Sequence, residues 1–299
     1  MNKLLPGIFA SLFLFSCSEN HSTCFKYDVE HPSSIIKLPS KLKEISGITF
    51  YTENRLACVQ DEKGTVFIYD IKKDKLKESI DFGGDKDYEA IENVNDTIYV
   101  LRSNGDIFEI DQPENPEGST VVHHTFLSKA NNCEGLCYDA SMNRLLIACK
   151  GKPEKGTAKK GLKAVYEFRL DSMIMKKDPA YIINPDTVLA LTKRNAESKS
   201  WIQKLFSGSD DGEFFFEPSE IAIEPGTNDV YILSSVDKTL LVLDHDGNYK
   251  CAVRLNPGIF RQPEGLTFSS DGQMIISDEG KEKKANLIFL EQSKSSAKE

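Results

Sequence analysis

Asn132-Cys133-Glu134-Gly135-Leu136-Cys137-Tyr138 and Gln262-Pro263-Glu264-Gly265-Leu266-Thr267-Phe268 share a Glu-Gly-Leu centre, and that shared centre decides the fold. Three related triplets occur elsewhere in the chain: Ser46-Gly47-Ile48, Glu89-Ala90-Ile91 and Ser219-Glu220-Ile221. Each places a small or acidic residue first, then a small residue or glutamate, then an aliphatic one. The middle residues of the five triplets are spaced 43, 45, 85 and 45 apart. A repeat of roughly 40–50 residues is the length of one propeller blade.

The residues after each triplet support that reading. A polar turn leads into a β-rich run: Arg55 to Val59, Thr97 to Leu101, Arg144 to Cys149, Val230 to Leu233, or Met274 to Ser277. A third apolar run comes next, as in Val66-Phe-Ile-Tyr-Asp70 and Leu240-Leu-Val-Leu-Asp244. Asn104-Gly105, Asp246-Gly247 and Asp271-Gly272 supply hairpin turns. The expected fold is all-β: a single β-propeller of four-stranded antiparallel blades. The interval of 85 residues holds either one enlarged blade or two ordinary ones. Because residues 193–213 lack the triplet and the Lys/Gly-rich stretch 150–163 reads as a loop, one blade is expected, making five, with six as the alternative. Helical periodicity surfaces only around 192–207. The last repeat shows three strands, so residues 24–38 are expected to supply the missing outer strand and leave no open sheet edge.

The leader carries Lys3 and then an apolar run from Leu4 to Phe15, too short for the roughly 20 residues of a membrane span. The run ends Leu14-Phe15-Ser16-Cys17, which resembles the lipobox of bacterial lipoproteins. The expected organisation is a signal peptide over 1–16, lipidation of Cys17, a tether over 17–23, the propeller over 24–292 and a polar tail over 293–299. Such a protein would sit in the bacterial cell envelope, held to the membrane by its acyl chains.

The chain has 299 residues, 39% of them hydrophobic, and a net charge of −9. Nucleic acid, gripped through clustered Lys and Arg, is not an expected partner. An acidic surface suits a cation instead. Beyond Cys17 lie Cys24, Cys58, Cys133, Cys137, Cys149 and Cys251. Most stand in apolar runs and read as small core residues. The disulfide weighed is among Cys133, Cys137 and Cys149, in a compartment that permits one.

In order, Ile-Ser-Gly-Ile-Thr, Asp-Tyr-Glu-Ala-Ile-Glu, Asn-Cys-Glu-Gly-Leu-Cys-Tyr and Gln-Pro-Glu-Gly-Leu-Thr-Phe resemble the SdiA-regulated (YjiK-like) bacterial β-propeller family, related to NHL-repeat propellers. The similarity runs from about Lys43 to Leu290. It implies the propeller and the envelope location, and no particular reaction. Ser219-Glu220-Ile221 departs from the pattern by lacking the small middle residue.

Inner strands of a propeller line its channel, so the triplets should form a ring of Ser46, Glu89, Glu134, Ser219 and Glu264. The ends of the second strands supply Gln60, Arg102, Lys150, Ser235 and Asp278, with Asp61 and Glu279 next in line. Converging carboxylates repel unless something positive answers them. In one reading Glu89, Glu134 and Glu264, with Asp61 or Asp278, coordinate Ca²⁺, a hard cation that takes oxygen ligands. In the other, Arg102 and Lys150 pair with the glutamates and the site is structural or a polar pocket. Asp244-His-Asp-Gly-Asn248 reads as a hairpin turn, since a calcium loop would need a closing glutamate that is absent. There is no G-x-S-x-G or HExxH, and no histidine stands at a triplet. Trp201 and Phe214 to Phe216 read as packing of the enlarged blade or an exposed contact patch. Two functions are consistent with these residues. The first is a binding protein that presents its channel mouth to a small ligand or an envelope partner. The second is a metal-dependent hydrolase of lactones or phosphoesters, in which the cation would activate water.

Overall fold

A computed structural model of the chain describes residues 24–113, 115, 118–153, 161–196, 214–280 and 283–293. The leader, Cys17, Trp201 and residues 197–207 of the expected helix lie outside them.

Strand β1 (Ser34–Lys37) precedes the first blade, formed by β2 (Ile45–Thr52), β3 (Arg55–Gln60), β4 (Thr65–Asp70) and β5 (Lys75–Asp81). The second blade is β6 (Tyr88–Val94), β7 (Thr97–Arg102), β8 (Ile107–Ile110) and β9 (Thr120–His123). The third is β10 (Cys133–Asp139), β11 (Arg144–Cys149), β12 (Lys163–Arg169), β13 (Ile174–Met175) and β14 (Tyr181–Ile183), followed by α1 (Pro185–Ala196). The fourth is β15 (Pro218–Ile223), β16 (Val230–Ser234), β17 (Thr239–Leu243) and β18 (Tyr249–Arg254). The fifth is β19 (Pro263–Phe268), β20 (Met274–Asp278) and β21 (Asn286–Leu290), completed by β1 against β21. There are thus five blades, and the long interval is one enlarged blade. Its outer edge is divided, because β13 and β14 pair with opposite ends of β12.

The inner strands touch in the cyclic order β2, β6, β10, β15, β19 and back to β2, so the ring is closed. Between adjacent blades lie five apolar clusters, one for each interface. That arrangement explains the third strands' continuous apolar runs: β17 is buried along its whole length because both faces meet a neighbouring blade. The small middle residues have a matching cause. A Cβ on Gly47 would lie 2.7 Å from Ala90 Cα, and one on Gly135 would lie 2.7 Å from Ile221 N. Inner strands therefore approach backbone to backbone where glycine leaves room.

Closure at the fifth blade is reinforced covalently. Cys24 and Cys251 form a disulfide across 227 residues, tying the N-terminal segment to β18 of the fourth blade. The bond thus lies outside Cys133, Cys137 and Cys149, the three weighed for a disulfide, which are free and buried along with Cys58 as small core residues. The bonded partners are distant in sequence, and the packing of the N-terminal segment against the fourth blade brings them together. Phe25 and Tyr27 follow Cys24 into the same interface, where Tyr27 meets Tyr231 edge-on at 6.0 Å between ring centres. Asp244 to Asn248 is a hairpin turn, closed by the Asp244 amide donating to the Asn248 carbonyl at 2.9 Å. Phe216 is buried as blade packing, while Phe215 is exposed.

Candidate functional site

Every inner strand breaks register at its triplet: between Ile45 and Ile48, Tyr88 and Ala90, Cys133 and Gly135, Pro218 and Glu220, and Pro263 and Leu266. An extra residue at such a bulge bends the strand and re-aims side chains. Here the bulges turn the first residues of the triplets toward one end of the channel. A cavity of about 190 Å³ opens there, and Ser46, Glu89, Glu134, Ser219 and Glu264 all line it. Asp61, Lys150 and Glu279 line it too, as the alignment of second strands anticipated.

The remaining expected residues lie elsewhere. Arg102 turns to Asp106, with Nη1 to Oδ2 at 3.4 Å, and does not answer the ring glutamates. Its own hairpin supplies a nearer carboxylate. Asp278 lies outside the cavity, fully buried, accepting from the Gln262 amide at 2.6 Å beside Arg261. Ser235 stands behind the wall and donates to Glu264 Oε1 at 3.0 Å. Gln60 contributes no cavity surface; its side-chain oxygen accepts from the Glu62 amide.

Three further polar residues line the cavity that the repeat reading missed: Glu44, Asp87 and Gln262. Each stands two positions before a triplet's first residue. All three lie just ahead of their inner strands, β2, β6 and β19, and this shared offset was the signal that could have found them. Asp87 accepts from the Ser103 hydroxyl, and Gln262 donates to Glu279. At the equivalent place in the third blade, Asn132 donates its amide to Glu134 Oε1 at 2.6 Å.

Among the described residues the cavity wall holds seven carboxylates, Glu44, Asp61, Asp87, Glu89, Glu134, Glu264 and Glu279, and one lysine, Lys150. Lys150 Nζ lies 3.5 Å from Glu134 Oε1. Such an imbalance strains ionisation. Burial pushes Glu264 up to about 8, and the charge of Glu134 adds to that. Burial likewise raises Asp61 to about 6, with Glu44, Glu62 and Asp87 contributing. Glu89 and Glu134 are displaced upward mainly by burial, and Lys150 holds Glu134 back. Burial alone would lower Lys150; the surrounding glutamates, Glu134 foremost, raise it instead. Among the described residues no group of three or more His, Cys, Asp or Glu side chains is gathered closely enough to hold a metal ion as they stand.

Glu220, the residue that replaces the small middle position, is buried deeper in the channel wall. Its Oε1 accepts from the Leu136 amide at 2.9 Å and the Ile221 amide at 3.0 Å. The departure from the repeat is therefore a side chain that caps backbone amides of two neighbouring inner strands.

Fold and site together define a five-bladed β-propeller with a buried acidic mouth at one end of its channel. The chain belongs to the SdiA-regulated family, whose model matches residues 26–281. No curated protein matches it. Among solved structures it is similar to glutaminyl cyclase from Myxococcus xanthus, with a TM-score of 0.55, 11% identity, and coverage of 87% of this chain and 95% of that one. It is also similar to a chain of the mitotic checkpoint complex, with a TM-score of 0.50, 8% identity and coverage of 98% and 99%. A streptogramin B lyase gives a TM-score of 0.48 at 10% identity over 86% of this chain and 97% of that one. For the first two, at these identities, the likeness is one of fold.

Proposed function

We propose that the protein is a lipid-anchored envelope protein whose propeller binds a cationic ligand at the acidic channel mouth, with calcium the cation to test first. The observation that carries this reading is the opposition of seven carboxylates to one lysine around a single cavity. A bound cation would supply the missing charge and favour the ionised forms of Glu89 and Glu264, which burial disfavours. Calcium takes about 6–8 oxygens at about 2.3–2.6 Å in flexible geometry, and long glutamate side chains can swing to meet it. The anchor is carried by the lipobox-like Leu14-Phe15-Ser16-Cys17.

The test is thermal melting of the full chain in detergent, first stripped with EDTA and then titrated with Ca²⁺. Binding raises the melting temperature, and Glu134→Gln removes the rise. An unchanged melting temperature in Ca²⁺, together with no response to an organic diamine, would sink the cation reading. For the anchor, Cys17→Ala should move the protein from the membrane fraction to the soluble one.

A further inference from the structure

Cys133 and Cys149 are the terminal pair of the β10–β11 ladder and stand directly opposite one another. The flanking Lys150 amide donates to the Asn132 carbonyl at 2.8 Å, which makes the cysteines a pair of the non-hydrogen-bonded kind. In that register facing Cα atoms approach to about 4.5 Å and their side chains are at their closest. Their sulfurs are 3.6 Å apart, both residues are buried, and neither is bonded to another cysteine. Facing Cα atoms at that spacing fall within the range a disulfide spans, about 4.4–6.8 Å. Cys137, four residues further along β10, faces Leu146 instead and has no thiol opposite.

The chain already carries one disulfide, Cys24–Cys251, a bond that persists in oxidising compartments. We propose that Cys133 and Cys149 are a redox site: a dithiol that closes to a cross-strand disulfide by exchange with an external disulfide. A cysteine thiolate attacks the external disulfide; two S–H bonds and the external S–S bond break, the Cys133–Cys149 S–S bond forms, and the two protons and two electrons given up by the cysteines turn the external disulfide into a pair of thiols. The contact with the Cys149 thiol, and then burial, push the Cys133 thiol well up, and both side chains are fully buried, so exchange requires the end of the ladder to open. The position gives the reaction a consequence. Cys133 precedes Glu134 and Cys149 precedes Lys150, the ion pair at the cavity wall. A bond between the cysteines would lock the two strand ends that carry that pair. This inference does not depend on what the mouth binds.

The experiment equilibrates the full chain in a glutathione redox buffer, with mild denaturant to open the ladder, followed by refolding, alkylation and peptide mapping. Among the described cysteines four thiols are free, Cys58, Cys133, Cys137 and Cys149. In the oxidised sample alkylation should fall from those four to two, with a Cys133–Cys149 peptide lighter by two hydrogens. Cys149→Ser should abolish that peptide, and Cys137→Ser should leave it intact. The Cys24–Cys251 bond is the internal control for oxidation and folding. If that bond forms while Cys133 and Cys149 both alkylate, or if Cys133 is found joined to Cys137, the proposal is wrong.

Discussion

Replacing Glu264 with glutamine should make the protein more stable, and more so as the pH rises. In the folded state burial raises this carboxyl from its ordinary 4.5 to about 8. Between those values the native chain holds a proton that the unfolded chain has released, so stability falls as pH rises through that window. Below the unfolded value both states are protonated and the contribution vanishes; above the folded value it is complete. With about 1.4 kcal/mol for each unit of displacement, keeping that proton in the folded state costs about 3 kcal/mol at pH 7 and about 1 kcal/mol at pH 5. Rearrangement of protons among the neighbouring glutamates and solvent at the open mouth reduce this, so the expected gain for E264Q is about 1–3 kcal/mol at pH 7 and under about 1 kcal/mol at pH 5. Glutamine keeps an oxygen for the Ser235 hydroxyl, which lies 3.0 Å from Oε1. Urea unfolding of both proteins in EDTA at the two pH values measures it. An E264Q protein no more stable than the parent at pH 7, or one whose advantage grows toward pH 5, would refute the account of mutually strained carboxylates.

Other expectations concern the scaffold. Gly135→Ala puts a Cβ 2.7 Å from Ile221 N and 2.8 Å from Glu220 C, backbone atoms that cannot rotate away. It should cost about 1–3 kcal/mol in urea unfolding, whereas Gly84→Ala, where nothing stands within 4 Å, should be nearly silent. Arg144→Met would leave Asp139 and Glu167 buried without the guanidinium that both contact. A loss of about 3 kcal/mol is expected from that uncompensated charge, and an unchanged midpoint would show that Lys176 and His245 suffice as partners.

Much of the architecture was legible because a propeller repeats its instructions. The Glu-Gly-Leu centres at 134–136 and 264–266 mark inner strands, and their spacing sets the blade. Ser46, Glu89, Glu134, Ser219 and Glu264 could be placed on one ring from the repeat alone, because equivalent positions of a closed ring face one axis. Arg102 could not be assigned the same way: its side chain chose Asp106, four residues on, over the glutamates across the channel. Asp278 was read into the mouth from its place at a strand end, yet its carboxylate points into the blade toward the Gln262 amide.

The amino-acid sequence by itself determined the repeat, the number of blades once 150–163 is read as an insertion, and the N-terminal strand that closes the ring. Those come from local patterns: alternation within strands, hairpin turns, and glycine where backbones must approach. Tertiary structure alone decided the Cys24–Cys251 bond, the approach of Cys133 to Cys149, and which carboxylates share the cavity with Lys150. Those depend on distances between residues of different strands and blades, and such distances exist only once the bulges have turned the side chains and the ring has closed.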